Sequence, residues 1–151
     1  MSIVGFNFTR ISAQRKTSVV GQVNINNNIT LKDITEAKLG LAGQRGALRV
    51  SFAFKSEYTQ DLATLELEGD VLMLVESTKA TTILDTWKKN RSVPKEVAEP
   101  LMNHILDRCN IQALLLAKDL NLPSPVPLPK VRVDAPVAAP EVKTTKVGKK
   151  K

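Results

Sequence analysis

The 151 residues contain one cysteine, one histidine and one tryptophan, and aromatic side chains make up only 4% of the chain. A single cysteine excludes a disulfide framework and a thiolate metal cluster. A single histidine leaves no material for a His-rich metal site and little for an acid–base catalytic set. No run of 18 apolar residues occurs, which excludes a transmembrane helix of ordinary kind. The first residues, MSIVGFNFTRISAQ, lack a basic stretch followed by an unbroken apolar one, so no secretory signal is expected there. These absences predict a cytoplasmic protein with a reduced thiol and no membrane partner. What is present is ordinary for a globular domain: 42% hydrophobic and 25% charged residues.

Charge is the unusual quantity. The chain carries 22 Lys+Arg against 15 Asp+Glu, a net of +7, which points to an anionic partner. The excess is not spread evenly. Residues 1–129 are close to neutral at +2. Residues 130–151 hold Lys130, Arg132, Lys143, Lys146, Lys149, Lys150 and Lys151 against Asp134 and Glu141, a net of +5. Six of the eight prolines lie between Pro123 and Pro140. Alternate prolines at 123, 125, 127 and 129 forbid a helix and favour an extended, polyproline-like path. The organisation read from composition is therefore a domain over 1–122, an extended segment over 123–134 and a basic tail over 135–151. The tail reads either as a solubilising arm or as an arm that neutralises phosphates, with the salt dependence that counterion release imposes.

Within 1–122 the period of the apolar residues changes once. Val4, Phe6 and Phe8 alternate with polar residues, as do Val19, Gly21, Val23 and Ile25, with Asn26-Asn27-Asn28 as a turn after them. Ile29–Leu41 reads as a long strand whose parity changes between Leu31 and Ile34, the mark of a bulge. Leu41–Gly46 reads as a glycine-containing loop. Leu48, Val50, Phe52 and Phe54 point one way and Arg49, Ser51, Ala53 and Lys55 the other. Leu62–Glu76 is extended too, either as a hairpin turning at Gly69-Asp70 or as one strand with Gly69 at a kink. Helical spacing follows. Thr81–Asn90 places Ile83, Leu84 and Trp87 on one face. A long helix to about Asp119, starting at Pro94 or at Pro100, carries a stripe of Val97, Leu101, Ile105 and Cys109. Strands first and helices last give an α+β fold: an antiparallel sheet of four to five long strands, then a long C-terminal helix.

This pattern resembles the SecB export-chaperone family. The resemblance rests on the opening Phe6-Asn-Phe-Thr-Arg10-Ile11, the alternation Leu48–Phe54, the strand Leu65-Glu-Leu-Glu-Gly69-Asp-Val71, and a proline-led long helix followed by Leu122-Pro-Ser-Pro-Val-Pro-Leu-Pro129. It covers about residues 4–130. It implies a four-stranded antiparallel sheet with a long helix, and a tendency to form dimers or tetramers. Export members are acidic and often end in a zinc-binding tail. This chain is basic, and His104 with Cys109 cannot supply four ligands, which shifts the expectation to a SecB-like domain recruited to a ribonucleoprotein.

Chemistry is expected to be absent. Cys109 lies on the apolar stripe, and His104 is five residues away, off its face, so the two do not form a base and nucleophile. Glu66, Glu68 and Asp70 share a wet strand face. No glycine loop with Lys-Ser or Lys-Thr follows a strand. Lys88, Lys89, Arg91 and Lys95 cluster between the helices, where they either complement a helix dipole or contact phosphates with the tail. Arg10, Arg15 and Lys16 read as solvated. The expected function is thus a non-enzymatic, cofactor-free RNA-binding or ribosome-associated component. It would contact structured RNA through phosphates with Lys88, Lys89, Arg91, Lys95 and the tail cations, since no aromatics interleave with these charges and Tyr58 and Trp87 stand alone, which leaves no stacking platform. The alternative is a holdase that grips unfolded polypeptide in a groove between Leu48–Phe54 and the helix.

Overall fold

A computed structural model describes residues 2–17, 21–38 and 45–129. Four strands, β1 (Ser2–Arg15), β2 (Ile25–Ala37), β3 (Arg45–Tyr58) and β4 (Ala63–Glu76), form one antiparallel sheet in the order β1-β4-β3-β2. Two helices follow, α1 (Ser77–Asn90) and α2 (Lys95–Asp119). The expected α+β class and antiparallel sheet are what is found.

The alternation in β3 and β4 sets the layers. Leu48, Val50, Phe52 and Phe54 are buried, as are Leu65, Leu67, Val71, Met73 and Val75, and both sets face the helices. β4 is one strand: Gly69 pairs with Phe8 on one side and Phe52 on the other, so no hairpin turns there. Ile83 and Trp87 of α1 and Val97, Leu101, Ile105, Cys109, Ala113 and Ala117 of α2 close the core. The residues on α2 recur at every fourth position, the spacing that keeps one stripe on the sheet.

Several local expectations change. Asn26-Asn27-Asn28 is not a turn but the start of β2, held by pairing with Glu57, Ser56 and Lys55. Gly21–Asn24 forms no strand, and residues 18–20 lie outside the described residues; among the described residues the sheet has four strands, the lower end of the expected four to five. The bulge is confirmed, between Leu31 and Asp33. β1 shifts register twice, between Ile3 and Gly5 and between Phe8 and Arg10, which leaves Val4 exposed while Phe6 and Phe8 pack inward. β3 starts at Arg45, so Gly46 belongs to the strand, and residues 39–44 are outside the described ones. α1 starts at Ser77, four residues early. Thr81, Thr82 and Thr86 each donate a side-chain hydrogen bond to the carbonyl four residues back, so their hydroxyls are satisfied within the helix. α2 starts at Lys95, with the Pro94 carbonyl accepting from Val97 and Ala98, and it continues through Pro100.

The outer face of the sheet carries cross-strand ion pairs. Arg10 meets Glu66 at 2.9 Å and Glu68 at 3.8 Å, Lys32 meets Glu68 at 3.6 Å, and Arg49 meets Asp70 at 3.3 Å. Arg10, Arg15 and Lys16 are therefore not simply solvated: Lys16 pairs with Asp61 at 3.1 Å, and Arg15 donates to the Leu120 carbonyl at 2.9 Å, tying the end of α2 to β1.

Candidate functional site

The end of α2 is locked before the chain leaves it. Asn121 adopts a left-handed conformation (φ 53°). Its N–H reaches the Lys118 carbonyl, and the Leu122 N–H reaches that of Ala117 at 2.8 Å. This double closure is the Schellman arrangement, with Asn in the place glycine usually takes. The proline-rich segment then crosses the ends of β3 and β2 as a strap. Its prolines cannot donate, but their carbonyls remain free to accept. Tyr58 Oη donates to the Pro123 carbonyl at 2.6 Å, and Asn27 Nδ2 donates to that of Pro125 at 2.7 Å. Buried Ser56 donates in turn to Asn27 Oδ1, which orients the amide. Burial pushes the Tyr58 hydroxyl up to about 12, keeping it a neutral donor. Between this strap and Val23, Ile25 and Asn27 lies an open groove of about 580 Å³.

A second hollow, of about 360 Å³, lies where β2 meets the junction of α1 and α2. Ile29, Leu31, Trp87, Val93 and Met102 make its apolar wall, and Arg91 stands at its rim. The bulge in β2 positions Asp33, whose Oδ1 accepts from the Ile34 N–H at 2.9 Å and from Trp87 Nε1 at 3.3 Å. Arg91 ends α1 in a left-handed conformation (φ 54°), its N–H on the Trp87 carbonyl at 2.8 Å. Its guanidinium lies 5.0 Å from the centre of the Trp87 ring and 3.9 Å from Asp33. Indole, carboxylate and guanidinium thus fix the indole edge of the hollow.

The structure brings Lys88, Lys89, Arg91 and Lys95 together at this junction, all exposed. Lys130, Arg132, Lys143, Lys146, Lys149, Lys150 and Lys151 lie outside the described residues. Cys109 is fully buried, and burial raises its thiol to about 12, which suits packing and not attack on a substrate. His104 is half-buried, with its ring 5.7 Å from that of Phe6. Among the described residues no group of three or more His, Cys, Asp and Glu side chains could hold a metal ion. No described helix is long and apolar enough to cross a membrane. Sequence reasoning missed Asn27, Ser56, Tyr58 and Asp33. Ser56 and Tyr58 left a signal as residues, since they continue the buried alternation of β3 past Phe54, and Asp33 lies at the parity change in β2; the partners they meet left none.

No family model matches the sequence, and no curated protein matches it. Among solved structures, the chain is similar to a SecB-like chaperone of Mycobacterium tuberculosis, Rv1957, in complex with a ChAD peptide from the Rv1956 HigA1 antitoxin. The two share 14% identity and a TM-score of 0.54 over 90% of this chain and 92% of that one. The TM-score and the near-complete coverage of both chains place this α+β chain in the SecB-like fold.

Proposed function

We propose that this protein is a holdase-type chaperone that binds non-native polypeptide, not an enzyme. The observation that carries this reading is the pairing of edge and groove. β2 has no strand partner on its outer side among the described residues, and an open groove bordered by Val23, Ile25 and the strap runs along its start. An exposed strand edge offers backbone hydrogen bonds to any extended chain, whatever its sequence, and apolar recesses beside it take up side chains. The structural neighbour with the same fold, solved with a peptide, supports the same class of partner. The ribosome-associated reading rests on charge alone, that of Lys88, Lys89, Arg91 and Lys95 and of residues 130–151, and it would return if the protein co-sedimented with ribosomal particles at low salt.

The test is suppression of aggregation of a chemically unfolded client, measured by light scattering. Full-length protein should suppress it at near-stoichiometric ratio, and a chain ending at Pro129 should suppress it equally. If the shortened chain is inactive while still folded by circular dichroism, the groove is not the site of action.

The same reading includes self-association. Ile111 and Leu115, one turn apart on α2, are 61% and 49% exposed, and Val4 and Ile11 on edge strand β1 are 53% and 48% exposed. Four large apolar side chains on β1 and α2, beside a free edge, are what a subunit interface leaves open in one chain. The full chain should scatter light with the mass of a dimer or larger, and Ile111→Glu with Leu115→Glu should reduce it. A wild-type mass of one chain refutes this.

A further inference from the structure

We infer that the chain supplies its own fifth strand: Lys130–Ala135, the segment next after the strap, adds to the free edge of β2 and runs parallel to it. The consequence for clients rests on the polypeptide-binding reading, because the edge this segment takes is the edge offered to them. The strap delivers the segment there. The Pro123 carbonyl accepts from Tyr58 on β3, and that of Pro125 from Asn27 on β2. In the order β1-β4-β3-β2 this is a step outward, from an inner strand to the last one. Two residues of polyproline-like chain span about 6 Å, a little more than the roughly 4.8 Å between neighbouring strands. The next such step, to Pro127, therefore reaches the line that a strand beyond β2 would follow. Pro127 and Leu128 border the groove opposite Val23, Asn24 and Ile25, and Leu128 is 48% exposed there. β2 begins at Ile25, so the edge within reach of residue 130 leads from Ile25 toward Ala37, and the added strand takes the same direction.

The sequence changes character at the same point. Prolines occupy 123, 125, 127 and 129, and the next is Pro136. Between them Val131 and Val133 alternate with Lys130, Arg132 and Asp134, which is the period and the β-branched composition of a strand. Prolines at its two ends are compatible with that, since they fall outside the ladder. β2 has an uncovered row to match. Ile25, Ile29 and Leu31 are only half-buried, although Tyr58, Phe54 and Phe52, with which they pair, are buried. The side still open is the one away from β3. A neighbouring strand with Val131 and Val133 toward the helices covers that row and leaves Lys130, Arg132 and Asp134 on the wet face. Tethered directly to an anchored strap, the segment meets the edge at an effective concentration in the millimolar range. It is a competitor of clients built into the same molecule.

The experiment compares the full chain with its variant Val131→Pro, Val133→Pro. The two prolines remove ladder donors and keep length, charge and apolar character. Hydrogen exchange should show the β2 amides between Asn26 and Leu31 exchanging about fivefold faster in the variant, with β3 and β4 unchanged, as expected if the wild-type edge is free about a fifth of the time. A labelled, extended apolar peptide should bind the variant about fivefold tighter by anisotropy, for the same reason. Suppression of a client at stoichiometric ratio counts edges and does not rank their affinity, so it should not change. Equal exchange of β2 in the two proteins overturns the proposal. So does wild-type protection that rises with protein concentration, because the added strand would then come from a second copy. The two levels separate cleanly. If the exchange difference appears and neither the peptide nor an unfolded client binds, the holdase reading falls and the fifth strand stands. If both bind and exchange is equal, the fifth strand falls and the holdase reading stands.

Discussion

Gly69→Ala should lose about 4 kcal/mol of stability or more, a large fraction of the roughly 5–15 kcal/mol that keeps a single domain folded. Gly69 lies at the middle of β4, a central strand with neighbours on both sides, paired with Phe8 and with Phe52. A Cβ built there stands 2.2 Å from the Asn7 carbonyl oxygen and 2.9 Å from Phe52 Cζ. The second contact could be relieved by tilting a ring. The first is with backbone, so β1 would have to move away from β4 and give up ladder hydrogen bonds to make room. The two aromatic neighbours also cover the bare backbone that glycine leaves in a strand. Urea denaturation followed by Trp87 fluorescence measures the effect. A loss under about 1 kcal/mol would show that β1 does not approach β4 this closely.

Phe52→Ala should cost about 3–5 kcal/mol, with little change in the denaturant slope. The side chain is fully buried on β3 beneath the helices, and its ring centre lies 5.3 Å from that of Phe6 and 6.4 Å from that of Phe8. Truncation removes the apolar area, the tilted contact with Phe6, the edge-on contact with Phe8 and the cover over Gly69 together. Phe52→Leu should cost less than half as much, because most of the volume remains. If alanine and leucine destabilise equally, ring contacts and not cavity formation dominate at this position. Combining either change with Gly69→Ala should give a non-additive sum, since the two positions touch.

The sheet was largely legible because its inner strands obey period two without interruption. Every second residue of β4 from Ala63 to Val75 is buried, and only a single straight strand satisfies that pattern. The bulge near Lys32 was legible as a parity change. The edge strands were harder to read. Val4 and Ile11 look like core residues by spacing, yet they are exposed on a strand with a neighbour on one side only. The three asparagines read as a turn by local preference, but pairing with β3 overrides that preference. At the candidate site, the charges of Lys88, Lys89, Arg91 and Lys95 could be listed from sequence, while the apolar recess they border could not. That recess is assembled from β2, α1 and α2, which are distant in the chain. The strap contacts of Asn27 and Tyr58 span 98 and 65 residues and leave no local trace.

The strand order β1-β4-β3-β2 has a consequence for synthesis. The strand that joins the two halves of the sheet is the last of the four to be made. Until residues 63–76 leave the ribosome, β1 has no partner, and the β2–β3 hairpin presents a bare edge and an uncovered row of Leu48, Val50, Phe52 and Phe54. The helices that cover this row come later still. For the first half of its own translation, this polypeptide therefore exposes the same features, open edges and unburied apolar side chains, by which it is proposed to recognise others.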